Sequence, residues 1–510
     1  MLENTKKPST ATPVPGGAPT EAAPTTAPAP RVAPVPEDFV DVTRVRAVFE
    51  AQRAHRWTMA RTTASERIAR LKKLKAAILA RREALNQAVY ADFRKPAAEV
   101  ELTEMHPVME ELNHTVKHLK SWMKPTRVGT PLLLAGTKSV VRYEPKGVVL
   151  VLAPWNYPFA LLINPLIAAV SAGNCVVLKP SEKTPHVAAL LEELVREVFE
   201  EREVALLRGG AALGDALLEL PFDHFFFTGS PRIGQKVMAA ASRHLASVTL
   251  ELGGKSPAII DASADVKAAA ERLMWGKFIN AGQTCIAPDY VFVHASREKE
   301  FLEHARRTLA SFYGSQETAW RESASFARLV DDGAFRRVRE LLDRSVAAGA
   351  RVETGGQADA GTRYLAPTLL SGVRPDMAIM EGEIFGPVLP VMTYEHREGV
   401  YAHINAGGKP LALYVFAEDK RAVEDVFQHT TSGGAVVNNV LLHIANPHLP
   451  FGGVGMSGLG HYHGQYGFKT FSHERAVLVQ ALPSAASLFF PPYDGKGLKG
   501  LAARLSRWLE

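Results

Sequence analysis

Cysteine is scarce: 510 residues contain two, Cys175 and Cys285, so one intramolecular disulfide is the most the chain can form, and no CxxC pair offers a zinc or dithiol site. Such sparing use fits a reducing, cytoplasmic setting. HExxH is absent, and the histidines crowded into one stretch, His461, His463 and His473, come without a supporting carboxylate pattern, so no metal site is expected. No sequence period recurs, which excludes a solenoid. Bias toward one charge is also missing: 59 Lys and Arg against 53 Asp and Glu leave +6 over the whole chain, a balance that favours solubility and not nucleic-acid binding. The first 36 residues lack aromatics, hold nine of the 33 prolines, and carry no secretory pattern. They read as a disordered Pro/Ala/Thr-rich arm, because too little apolar surface can be buried to offset ordering. Residues 147–178 lack charge altogether, yet Pro154, Asn156, Pro158, Asn164 and Pro165 interrupt them, so a buried strand, loop and helix are expected there and not a membrane span.

Periodic segments fill the rest. Thr63 and Glu66 form a capping box ahead of a helical pattern that runs to about Tyr90, a second helical pattern covers roughly 100–122, and a hairpin is expected around Ala135-Gly136. From Val148, five strand-like runs (VVLVLA, CVVLK, VALLRG, HFFFTG, VTLEL) alternate with helical ones, which predicts a parallel, doubly wound sheet. A second series from about Asp289 (DYVFVH, VLPVMTY, LALYVFA, GGAVVNN) predicts another α/β domain, with the division near Gly253-Gly254.

Ligands of such sheets sit beyond the carboxyl ends of the strands, where the loops here read APWNYP, KPSEKTP, TGSPRIG and ELGGKSP. Asn156 follows one strand and can donate its amide to a developing oxyanion, although asparagine beside proline is also an ordinary turn former. Glu251 closes another strand beside Gly253 and Gly254, where a base could swing and where a solvated cap would equally stand. Cys285 lies on a loop between a helix ending near Asn280 and a strand starting near Asp289. Cys175, by contrast, opens an apolar strand that would keep a thiol inert. Gly229, Ser230 and the helix-start amides after them suit a pyrophosphate, without a G-x-G-x-x-G motif. Lys179 can reach ribose hydroxyls, and Glu182 would repel a 2′-phosphate, which favours NAD over NADP without excluding the latter.

Taken together, PWNYPF, VVLKPSE, FTGSPRIG, VTLELGGKSP, WGKFINAGQTCIAPDY, EIFGPVLP, KPLALY and LPFGGVGMSGLGHYHGQYGFKTFSH, in this order, resemble the aldehyde dehydrogenases, in detail the class 3 branch with fatty and coniferyl aldehyde dehydrogenases. The resemblance spans about Phe39 to Val479. It implies Cys285 as nucleophile, Glu251 as base for hydrolysis of the thioester, and an oxyanion held by Asn156 and the Cys285 N–H. It also implies NAD (or NADP) held by Lys179, Glu182, Gly229, Ser230, Glu383 and Phe385, and a substrate channel through Tyr157 and Trp275 for apolar or aromatic aldehydes.

The implied fold is aldehyde dehydrogenase-like α/β. Its expected parts are an NAD(P)-binding domain (37–128 and 146–252), an oligomerisation hairpin with a C-terminal arm (129–145 with about 440–490), and a catalytic domain (253–439). A homodimer is expected. Residues 491–510 place Leu498, Leu501, Leu505 and Trp508 on one helical face among basic residues, an amphipathic tail that docks on protein or makes at most peripheral membrane contact. Two readings stay beside the main one: an acylating enzyme that passes the acyl group to coenzyme A, which Glu251 disfavours, and a non-catalytic scaffold on the same fold.

Overall fold

The computed structural model describes residues 40–131, 134, 136–480, 490–491 and 506–507. The N-terminal arm and nearly all of the C-terminal tail lie outside the described residues.

Residues 147–178 explain their lack of charge by burial. Strand Val148–Leu152 and strand Cys175–Lys179 are buried along their whole length, and every residue of the connecting helix Ala160–Ala172 is buried too. The two strands pair in parallel at the middle of a six-stranded sheet, ordered Gly458–Leu459, Ser247–Leu252, His224–Gly229, Val148–Leu152, Cys175–Lys179, Val204–Leu206. All five runs read from sequence are parallel members of it, and Gly458–Leu459 alone is antiparallel. Because Val148–Leu152 lies between the second and fourth strands in chain order, the winding reverses at its carboxyl end, where such sheets bind ligands.

A seven-stranded sheet runs Arg351–Thr354, Thr368–Ser371, Val388–Tyr394, Tyr290–His294, Pro257–Ile260, Ala412–Phe416, Gly434–Val437, parallel except for its first strand. The chain passes from one sheet to the other between Leu252 and Pro257. Three of these strands, Pro257–Ile260, Arg351–Thr354 and Thr368–Ser371, escape sequence reading: each has four residues, too few for a period, and the equally short Gly434–Val437 was legible only through the glycines and asparagines that bound its run in GGAVVNN.

Three other expectations shift. The pattern from Thr63 splits into helices Ala64–Ala80 and Arg82–Phe93, because Arg81 leaves helical geometry at φ −110° and ψ 13°. The Thr63–Glu66 capping box is present at the first start. The second pattern begins at Ala97 and passes through a π-helical turn, Glu101–Met105, before helix His106–Trp122. Pro107, lacking an N–H, cannot carry a regular ladder across that junction. The hairpin is lopsided: Thr137–Pro145 pairs with only Thr126–Arg127 on one side, while Ser472–Gln480 pairs along its full length on the other, from Ser472 opposite Pro145 to Gln480 opposite Thr137. Its chief partner therefore lies far along the chain, beyond local pattern reading. Among the described residues no helix is long and apolar enough to cross a membrane.

Candidate active site

Helix Val266–Phe278 ends in a tight turn, Ile279–Gly282, in which Asn280, Ala281 and Gly282 take φ of +55°, +52° and +75°. Left-handed backbone at two non-glycine residues costs roughly 1–3 kcal/mol each and persists only where the surroundings enforce it. Here they do. The Asn280 N–H donates to Glu99 (2.9 Å), and its side-chain amide donates to the carbonyls of Asn156 (2.8 Å) and Gln283 (3.1 Å). Gln283, fully buried, donates to the carbonyls of Asn280 (2.9 Å) and Arg328 (3.0 Å) and accepts from the Val330 N–H (3.0 Å). The turn thus delivers Thr284 and Cys285 from a fixed base.

Cys285 is partly buried, and its thiol is pushed up to about 12, first by burial, then by the carboxyls of Glu383 and Glu251, against partial relief from the N–H groups of Cys285 and Ile286. Both carboxyls are therefore close enough to be felt electrostatically at this sulfur. Asn156 reaches the same loop: its Nδ2 donates to the Gln283 carbonyl at 3.0 Å, which commits one of its two N–H bonds and leaves the other for a ligand oxygen. Glu251, 3% exposed on strand Ser247–Leu252, has no hydrogen-bond partner on either oxygen, and burial raises its pKa well above the ordinary carboxylate range. A buried, unpaired carboxyl costs stability, so its retention points to chemistry more than to folding. Cys175 is buried in its strand and also pushed up to about 12, with no such company.

Lys179 ends its strand 8% exposed, its Nζ 3.3 Å from Glu182 Oε2 and 3.2 Å from the Pro180 carbonyl. Gly229 ends strand His224–Gly229, and Ser230 starts helix Pro231–Ser242 without a side-chain cap; Pro231 has no N–H and the Ile233 N–H donates to the Ser230 carbonyl (3.1 Å), which leaves the Arg232 N–H open to an anion. A Cβ on Gly229 would lie 2.5 Å from the Phe227 ring, and one on Gly253 would lie 2.2 Å from Glu383 Oε2, so a larger residue at either position must displace that side chain. Glu383 accepts from the Gly254 N–H and is pushed up to about 8, by burial first and by Asp289 second. Phe385 takes φ +46° and stands edge-on to Trp155 with ring centroids 5.4 Å apart. Phe385, Trp155, Lys183, Asp331 and Arg337 border a cavity of about 340 Å³, with the Lys183–Asp331 ion pair (2.6 Å) across it. An open Arg232 N–H at the helix start, a buried lysine for hydroxyls, and a strained aromatic beside a carboxyl fit a dinucleotide in their chemistry.

Tyr157 donates to or accepts from Thr284 through its hydroxyl at 2.5 Å, beside Cys285. Trp275 packs at the edge of the main apolar cluster, as a core residue does. His463 is buried 3.6 Å from Glu111, while His461 and His473 are exposed, and no group of three or more His, Cys, Asp or Glu among the described residues is arranged to hold a metal.

Sequence reading missed the residues that hold the site. Lys255 Nζ binds Asp289 (2.7 Å) and the carbonyls of Ile379 and Gly382 (2.9 Å each). Asp289 accepts from the Ile384 N–H (3.0 Å), and Arg337 donates to the Ile384 carbonyl (2.7 Å). These anchor the loop bearing Glu383 and Phe385. Lys255 and Asp289 stand inside ELGGKSP and CIAPDY, so adjacency was their only signal; Arg337 had none.

The strand order, with a glycine-led helix start at its ligand end, defines a dinucleotide-binding α/β enzyme. A model of the aldehyde dehydrogenase family matches residues 37–477, and the chain belongs to that family. It is similar to the 4,4'-diaponeurosporen-aldehyde dehydrogenase of Staphylococcus aureus, 43% identical over 426 residues (84% of this chain, 92% of the relative). A probable coniferyl aldehyde dehydrogenase of Pseudomonas aeruginosa is 41% identical over 466 residues (91% and 97%). A solved structure of the substrate-bound state of Staphylococcus aureus AldH superposes with a TM-score of 0.87 at 41% identity, covering 90% of this chain and 99% of that one. The protein is an NAD(P)-dependent aldehyde dehydrogenase, which oxidises an aldehyde to the carboxylic acid.

Proposed function

We propose that Cys285 is the nucleophile, Asn156 the oxyanion donor and Glu251 the base of this oxidation, acting on apolar, aromatic or medium- to long-chain aldehydes. The observation that carries the assignment is the Asn156–Gln283 hydrogen bond, which ties an amide from the six-stranded sheet's loop to the Cys285 loop. The Cys285 thiol gives its proton to solvent water, the sulfur adds to the carbonyl carbon, and the oxygen takes the π electrons between the free Asn156 N–H and the Cys285 N–H. When bound, the dinucleotide supplies the hydride acceptor, and Lys179, Glu182, Gly229, Ser230, Glu383 and Phe385 would hold it. Glu251 then takes a proton from water as the water oxygen adds to the thioester; the thiolate departs and the acid is released. Because burial favours the protonated carboxyl, Glu251 becomes competent as pH rises.

The apolar substrate class draws on Tyr157 beside Cys285 and on the large apolar cluster behind it. Two free cysteines and ordinary charge support a cytoplasmic enzyme. The edge strand Gly434–Val437 leaves backbone groups for a second copy, which supports a homodimer. The C-terminal amphipathic segment fits docking on protein, with at most peripheral membrane contact.

An aldehyde panel with NAD and with NADP, on native protein, Cys285→Ala and Glu251→Gln, tests the roles. Cys285→Ala should abolish activity and Glu251→Gln should acylate but stall; steady full turnover by either refutes them. Added coenzyme A should leave the rate unchanged, and a large increase would establish the acylating reaction instead.

A further inference from the structure

Beneath the Asn156 and Cys285 loops lies an ion pair withdrawn completely from water. Lys95 and Glu104 have fully buried side chains, with Nζ 2.9 Å from Oε1. Such a pair contributes little to stability compared with apolar residues of the same volume, so its presence asks for another reason. The other oxygen of Glu104 supplies one: it accepts from the backbone N–H groups of Phe159 (2.9 Å) and Ala160 (3.3 Å), the start of the helix that follows Asn156. Lys95 Nζ in turn stands 4.0 Å from the Tyr157 ring centroid, and the Tyr157 hydroxyl bonds Thr284, next to Cys285. Glu99, between the two, accepts from the Asn280 N–H at the strained turn. Glu104 belongs to the π-helical turn Glu101–Met105, a widening that often marks functional positions in helices.

We propose that Lys95 and Glu104 are positioning residues, which fix the Asn156 amide relative to the Cys285 sulfur so that the oxyanion donor is preset before substrate arrives. The inference rests on the role assigned above to Asn156. In Glu104→Gln the second oxygen becomes an NH2 group, which must face either the Lys95 ammonium or the two backbone N–H donors, so one side of the anchor is lost. Lys95→Met with Glu104→Gln removes both charges of the pair together, so neither member is left buried without the other, although Glu99 loses Lys95 as its cationic neighbour; it guards against a variant that fails to fold.

The test is a double-mutant cycle on single-turnover acylation, with Asn156→Ala, Glu104→Gln and their combination. Glu104→Gln should slow acylation roughly tenfold or more with little change in aldehyde KM, and roughly twofold or less once Asn156 is already alanine. Lys95→Met/Glu104→Gln should acylate no more slowly than Glu104→Gln, because without the ammonium the glutamine oxygen can turn to the Phe159 and Ala160 N–H groups. Iodoacetamide alkylation of Cys285, which needs no oxyanion donor, should keep its native rate in all of these variants. Equal slowing by Glu104→Gln in both backgrounds, or alkylation slowed in step with acylation, overturns the proposal while leaving the Asn156 role intact. Full acylation by Asn156→Ala refutes that role itself, and the proposal with it.

Discussion

Replacing Glu251 by glutamine tests the site where folding and catalysis pull in opposite directions. The native carboxyl is 3% exposed and without a hydrogen-bond partner, so ionisation in the folded protein is opposed by burial and its pKa stands well above the ordinary range. Glutamine keeps the shape and cannot accept a proton. Loss of a positioned general base costs about 10²–10⁴ in rate, or ~3–5 kcal/mol of barrier at 1.36 kcal/mol per tenfold. The loss falls only on thioester hydrolysis, so rapid mixing with aldehyde and dinucleotide should show a burst of about one reduced nicotinamide per subunit, followed by nearly flat steady state. Stability should move the other way. A carboxyl whose pKa is raised by folding binds its proton more tightly in the native state, so native stability declines as pH climbs above the unfolded value of about 4.5 toward the folded one. Glutamine escapes that decline, and the Tm of the variant relative to native should rise with pH. A variant that turns over at the native rate, or that loses its burst along with its steady state, would refute the reasoning.

The cofactor loops give sharper steric tests. Gly253→Ala places a Cβ 2.2 Å from Glu383 Oε2 and should raise the dinucleotide KM roughly tenfold with Tm nearly unchanged, as kinetics and a melting curve would show. Glu182→Gln removes the charge 3.3 Å from Lys179 Nζ and should shift relative kcat/KM toward NADP by about 1 kcal/mol, roughly fivefold; an unchanged ratio would place the 2′-hydroxyl elsewhere. Cys285 stands at about 12 without cofactor, so its alkylation should still be accelerating between pH 8 and 10, in place of levelling near the usual thiol value of about 8.5. Cys175→Ala should leave both activity and that alkylation profile untouched, since its thiol is buried and likewise pushed up to about 12.

The strand runs that form the centre of the six-stranded sheet were legible because both faces are buried, so apolar side chains are continuous from Val148 to Leu152 and from Cys175 to Leu178. The four-residue strands Pro257–Ile260, Arg351–Thr354 and Thr368–Ser371 were not, and neither was the pairing of Ser472–Gln480 with Thr137–Pro145, which joins partners far along the chain. The same division runs through the site. Asn156, Glu251 and Cys285 follow strands or a helix end, where loops announce themselves by composition. Lys95 sits in the link between helices Arg82–Phe93 and Ala97–Val100, nine positions before Glu104, and only the π-helical turn and the packing of Ala160–Ala172 against it bring Glu104 to the Asn156 loop. Lys255 and Asp289 stood inside quoted motifs, but the Ile379 and Gly382 carbonyls that Lys255 holds, and the Ile384 N–H that Asp289 accepts from, could be assigned only from the fold.

The most direct measurement is mass spectrometry of acid-quenched Glu251→Gln protein after reaction with a long-chain aldehyde and NAD. The acyl mass should appear on the peptide that carries Cys285 and be absent from the one that carries Cys175. An unmodified Cys285 peptide in protein that has produced reduced nicotinamide would contradict covalent catalysis at this sulfur.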